Sequence, residues 1–131
     1  MRSKLSFMTQ KYKVAIVEDD LPICNMYKIK LENAGFIVKT ANNGLEGYNL
    51  IRDFCPDIIL LDLKMPEMTG EEMLAKIRST EWGSRPRVII LTNISKDEAP
   101  LGLRFLNVNR YIVKAHHTPS QVIAIVQEVL A

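Results

Sequence analysis

Cysteine is scarce in this chain, with two in 131 residues, and Cys24 and Cys55 are too far apart to form a C-x-x-C unit. That spacing excludes the short redox and zinc motifs and leaves two reduced, partly buried thiols, the pattern of a cytoplasmic protein. An excess of one charge is missing as well. Lys and Arg number 17 against 15 Asp and Glu, a net charge of +2. With no basic block or aromatic-spaced basic stripe, nothing calls for nucleic acid. No apolar run approaches the ~20 residues of a membrane span. Residues 1–10 lack the apolar h-region and small-residue cleavage site of a signal peptide and read as a flexible N-terminal extension, with Met8 as a second start. His116 and His117 are adjacent, which is poor ligand geometry, and read as a solvated loop pair. No repeat, linker or low-complexity segment interrupts residues 11–131, a length that suits one domain around one substantial core.

What the chain does have is a series of short β-branched runs alternating with amphipathic stretches. Lys13–Val17 reads as a first strand, 36–40 as a second, Ile58–Leu61 as a third, 88–91 as a fourth and 111–113 as a fifth. Four consecutive branched aliphatics at Ile58–Leu61 are the pattern of a strand buried on both faces. Between the strands, Asp20 and Pro22 open a helix whose Cys24, Tyr27, Leu31 and Ala34 share a face, closed by Gly35. Leu45, Tyr48, Ile51 and Arg52 fall at helical spacing before Pro56. Residues 71–80 place Met73, Leu74 and Ile77 inward, and Met65 and Met68 read as packing beside them. Residues 97–106 suit a helix only if Pro100 lies in its first turn. Thr118 and Pro119 cap a last helix to Leu130, with Val122, Ile125, Val126 and Val129 inward. The alternation βαβαβαβαβα predicts a parallel sheet with helices on both faces and right-handed crossovers.

If the strands are parallel, their carboxyl ends share one edge, where open α/β sheets bind ligands. Strand one ends in Glu18 and Asp19, strand three in Asp62, strand four in Thr92 and strand five in Lys114. Carboxylates about 4 Å apart repel by as much as roughly 4 kcal/mol per pair at an effective dielectric near 20. Lys114 alone does not neutralise them, so the cluster calls for a hard cation. All-oxygen ligands favour Mg²⁺, with Mn²⁺ or Ca²⁺ as alternatives.

These residues carry a family resemblance. Val-Ala-Ile-Val-Glu-Asp-Asp at 14–20, Leu-Leu-Asp-Leu-Lys-Met-Pro-Glu-Met-Thr-Gly at 60–70, Ile-Ile-Leu-Thr at 89–92 and Tyr-Ile-Val-Lys at 111–114 stand in order at the strand ends. Together they resemble the receiver domain of two-component response regulators, like the single-domain chemotaxis type, over nearly the whole chain. The resemblance implies a (βα)5 doubly wound, flavodoxin-like α/β fold with strand order 2-1-3-4-5. It implies that Asp62 is the phosphoacceptor, taking a phosphoryl group from a sensor histidine kinase or a His phosphotransfer protein. Asp19 and Asp62 would then bind Mg²⁺ directly, Glu18 through water, and Lys64 through its backbone carbonyl. Thr92 and Lys114 would hold the phosphoryl oxygens. Tyr111 matches the family's aromatic switch, with a plain core aromatic as the other reading. The face of the fourth helix, fifth strand and last helix, including Arg104, Asn107 and Arg110, would serve a downstream target or a homodimer.

The chain departs from the family pattern in three places. Asn93 stands where a small residue is usual, which narrows access to Asp62. Ala115 replaces the usual proline after Lys114, so a trans peptide and a shifted loop are expected there. Val108-Asn109 replaces a Gly-Ala pair. Lys64 and Ile94, two places beyond Asp62 and Thr92, flank the approach of water. Two other classes stay open: a receiver-like interaction module that no longer cycles phosphate, and an aspartyl phosphohydrolase. The latter needs Asp-x-Asp, and Asp62-Leu63-Lys64 lacks the second acid. The output is not encoded in these residues: the chain reads equally as a stand-alone regulator or as a piece of a longer one.

Overall fold

Five strands, β1 (Lys13–Val17), β2 (Ile37–Ala41), β3 (Ile58–Leu61), β4 (Arg87–Thr92) and β5 (Arg110–Val113), form one sheet in the computed structural model, which describes residues 11–131. The extension expected at 1–10, with Met8, lies outside the described residues. All strand pairings are parallel in the order β2-β1-β3-β4-β5, the doubly wound order that was expected. Four α-helices accompany them: α1 (Leu21–Asn33), α2 (Gly44–Phe54), α3 (Gly70–Arg78) and α4 (Pro119–Leu130).

Alternation along each strand divides the core in two, because successive side chains point to opposite faces. Val14, Ile16, Ile58 and Leu60 pack on one face with Tyr27 and Leu31 of α1 and Val122 and Val126 of α4. Ala15, Val17, Ile59 and Leu61 pack on the other with Ile51 of α2 and Met73, Leu74 and Ile77 of α3. Met65 and Met68 join this second cluster, as their packing role required.

The helix starts follow the expected chemistry. The Asp20 side chain accepts the Ile23 amide, and Asn43 accepts that of Glu46. Thr69 with Glu72, and Thr118 with Gln121, close reciprocal capping boxes that satisfy otherwise orphaned amides. Gly35, at φ 98, takes the left-handed position after α1.

Several expectations fail for physical reasons. The buried face of α2 is Gly44, Gly47, Ile51 and Phe54, whereas Leu45 is 49% exposed and Arg52 is exposed and pairs with Asp53. The helix sits so close to β1 that a Cβ on Gly47 would lie 2.8 Å from Val17, so glycines make part of its buried face. Residues 97–106 form no α-helix. The stretch is two 3-10 segments, Lys96–Glu98 and Leu101–Phe105, with Pro100 between them and helix-weakening Gly102 inside the second. Cys55 is exposed, since it leaves α2 in a left-handed conformation at φ 52. His116 is exposed, but His117 is half-buried with Nδ1 3.4 Å from the Val113 carbonyl. The expectation at Lys114–Ala115 does hold: that peptide is trans, as are all those described.

Candidate functional site

The sheet register delivers four side chains to one place. Val17 of β1 pairs with Leu61 of β3, and Leu61 with Ile90 of β4, so Glu18 and Asp62 leave their strands side by side. Thr92 pairs with Val113, which brings Lys114 to the same edge. Among the described residues, the buried polar or charged side chains are Glu18, Asp62 and Thr92. The three stand at adjoining strand ends, where withdrawing a polar group from water is costly unless it is paired.

Lys114 bridges the two acids. Its Nζ lies 3.2 Å from Asp62 Oδ2 and also donates to Glu18 Oε1. Burial pushes the Glu18 carboxyl up to about 7, with the charge of Asp62 adding to the effect and the Lys114 hydrogen bond opposing it. Burial alone would lower the Lys114 ammonium; its bond to Glu18 and the charge of Asp62 more than offset this and hold it above the ordinary range. The Asp20 amide donates to Glu18 Oε2 at 3.2 Å. The side-chain amide of Asn42 donates to the Glu18 carbonyl at 3.0 Å, so the acid is fixed at both ends.

Asp19 stands exposed at the mouth, and one carboxylate oxygen from each of Glu18, Asp19 and Asp62 lies within 4.8 Å of the others. One ammonium faces three converging carboxylates, and the donors are all oxygen. That set fits a hard divalent cation. A cavity of about 670 Å³ opens over these groups, lined also by Lys64, Thr92, Asn93 and Ile94.

The sequence pattern of the response regulator receiver domain matches residues 14–127. The chain belongs to the response regulator receiver domain family. Regulatory protein AtoC of Escherichia coli strain K12 is 32% identical over 107 residues, 82% of this chain and 23% of that protein. The probable transcriptional regulatory protein SilR of Salmonella typhimurium is 33% identical over 102 residues, 78% of this chain and 44% of that one. The chain thus spans less than half the length of these curated relatives. Among solved structures, chemotaxis response regulator CheY4 of Vibrio cholerae superposes with a TM-score of 0.83 at 27% identity, covering 92% of this chain and 99% of that one. The BeF3-activated DrrB receiver domain gives 0.77 at 29% identity, covering 92% and 98%.

The residues singled out from the receiver resemblance gather as a set. Glu18, Asp19, Asp62, Lys64, Thr92, Asn93, Ile94 and Lys114 line one cavity. Tyr111 stands outside that lining, half-buried, with its hydroxyl donating to the Ile94 carbonyl at 2.8 Å. The Thr92 hydroxyl accepts the Ile94 amide at 3.4 Å, so Ile94 joins the two. Asn42 escaped sequence reasoning as a site residue, since it reads as a turn residue; Gly70 belongs to the 60–70 motif that shapes the pocket, but its close approach to the Asp62 backbone has no signal in hydrophobic periodicity. No described helix is long and apolar enough to cross a membrane.

Proposed function

We propose that this receiver accepts a phosphoryl group on Asp62 from a phosphohistidine of a sensor kinase or phosphotransfer protein, in the cytoplasm, and passes the change to a downstream target. The observation that supports it most is the bridge in which Lys114, at the end of β5, reaches across to the buried carboxylates of Glu18 and Asp62 at the adjoining ends of β1 and β3. In this reading residues 11–131 are the receiver domain and 1–10 an extension before it.

An Asp62 carboxylate oxygen attacks phosphorus, the P–N bond to the donor imidazole breaks, and an acyl phosphate forms. The transition state is loose, so the protein's task is positioning and charge stabilisation. Lys114, already beside Asp62 Oδ2, pairs with the phosphoryl oxygens, and Thr92 donates its hydroxyl to one of them. Glu18, Asp19, Asp62 and the Lys64 carbonyl would hold Mg²⁺, which when bound supplies positive charge against the incoming dianion. Water attack at phosphorus later releases inorganic phosphate and restores the carboxylate.

The switch follows from two hydrogen bonds. When Thr92 turns to the phosphoryl group it gives up the Ile94 amide, and the Ile94 carbonyl that anchors Tyr111 is freed to move. The phosphoryl group, with about −1.5 to −2 charge, thereby biases the 94–111 face, including Arg104, Asn107 and Arg110, toward its second arrangement. A target or a second copy of the receiver docks there.

Acetyl phosphate with Mg²⁺ is expected to add one phosphoryl mass to the wild type and none to Asp62→Asn; an unmodified wild type would overturn the proposal. Lys64 and Ile94 flank the water approach, so Ile94→Glu should shorten the acyl phosphate lifetime. A lifetime that lengthens in phosphate-release assays would contradict that role.

A further inference from the structure

The end of the sheet opposite the acids carries a second cavity, of about 490 Å³, between the end of α2 and the connection from α3 into β4. Ile51, Pro56 and Pro86 line it and are buried. Trp82 is half-buried beside them, backed by the Tyr48 ring with centroids 5.7 Å apart. Arg85 and Arg87 line the same cavity and are exposed. Neither guanidinium has an ion-pair or hydrogen-bond partner among the described residues. Of the two acids present, Asp57 is engaged, accepting the Lys13 amide at 2.8 Å, whereas Glu81 is exposed and has no partner among the described residues.

The walls are fixed without a ligand. The Arg87 amide donates to the Asp57 carbonyl at 3.0 Å and the Asp57 amide to that of Lys13 at 2.9 Å. The Arg78 guanidinium donates to the Gly83 and Pro86 carbonyls at 2.8 and 2.9 Å. A Cβ on Gly83 would lie 1.7 Å from the Ile77 carbonyl, so the turn carrying Trp82 is pressed onto α3. Solvated arginines alone need no explanation. Here two unpaired guanidinia meet an indole and a floor of Ile51, Pro56 and Pro86 on a rigid frame, in a hollow whose lining is part apolar and part charged, which suits a small ligand that is itself both aromatic and charged.

We propose that this cavity binds a small planar aromatic anion bearing a ring N–H or amino group. The ring lies against Trp82, the anion between Arg85 and Arg87, and the donor on Glu81. The anion is a phosphate, as in a nucleotide, or a carboxylate, as in an aminobenzoate; the test separates the two. The site is independent of the phosphoryl chemistry proposed for Asp62.

Trp82 is the only tryptophan, so its indole N–H gives one NMR resonance. We expect a saturable shift of that resonance with GMP or with 2-aminobenzoate, whichever source is correct, and none with inorganic phosphate or guanosine alone. The double variant Arg85→Gln/Arg87→Gln should keep the wild-type melting temperature and weaken binding roughly tenfold or more, while Asp62→Asn binds as the wild type does. Bound ligand should also slow alkylation of Cys55, the exposed thiol in the same lining. No saturable shift with either compound, binding untouched in the folded double variant, or shifts centred on Thr92 and Lys114 would each overturn the proposal.

Discussion

Gly70→Ala is expected to lower the melting temperature by roughly 10 °C, through a loss of roughly 3 kcal/mol, and to cripple phosphoryl acceptance. A Cβ at position 70 would lie 2.1 Å from the Asp62 carbonyl oxygen and 2.9 Å from Leu63 Cα. Both are backbone atoms, and the Gly70 amide is bonded to the Leu63 carbonyl at 2.9 Å, so neither side can swing away. The start of α3 is thus clamped onto the exit of β3. Relieving the clash must move Asp62 itself, and a misplacement on the order of 1 Å costs on the order of 100-fold in rate. Gly102→Ala is the control: its nearest neighbour is the Glu71 carboxylate at 3.2 Å, the end of a flexible side chain, and stability should change by about 0.5 kcal/mol or less. Thermal melts and acetyl phosphate kinetics on both variants check this. A wild-type midpoint for Gly70→Ala would contradict the close packing.

Lys114→Met in metal-free buffer at pH 8 is expected to lose roughly 3 kcal/mol, because it strands two buried carboxylates without their ammonium. The loss should depend on pH in a definite direction. The folded Glu18 value of about 7 lies above the ordinary 4.5. Its protonated form is therefore favoured by folding. That contribution is fully present below about pH 4.5 and is lost as pH rises through about 7. Metal-free wild type should weaken across that window on account of this group. Lys114→Met should weaken more steeply, the gap narrowing toward pH 5, where Glu18 takes a proton. Both should recover stability at pH 8 when Mg²⁺ is added. Urea melts with and without chelator at the two pH values measure this; an equal loss at both would contradict the bridge.

The strands and their terminal residues were legible because a buried parallel strand announces itself as a run of aliphatics, and Asp62, Thr92 and Lys114 end three of them. The capping residues Asp20, Thr118 and Gly35 were legible for a similar reason, since local hydrogen bonding selects those side chains. What escaped depends on contacts distant in sequence. The buried face of α2 is set in part by Gly47, pressed against Val17 and Met73, and Gly44, pressed against Met68, which hydropathy does not register. Residues 97–106 carry a helix-like acidic start, but Pro100 and Gly102 break them into 3-10 turns, held from outside by Arg78. That guanidinium donates to the Leu106, Asn107, Gly83 and Pro86 carbonyls, joining segments that no periodicity connects. The link from Thr92 through Ile94 to Tyr111 is similarly a product of tertiary placement.

Borohydride reduction tests the central claim most directly, since it converts an aspartyl phosphate to homoserine at the residue that carried it. After exposure to acetyl phosphate and Mg²⁺, peptide mapping is expected to find homoserine at position 62 and nowhere else. Homoserine at position 19, or a phosphoryl mass that leaves position 62 an intact aspartate, would contradict the assignment of Asp62 as the acceptor.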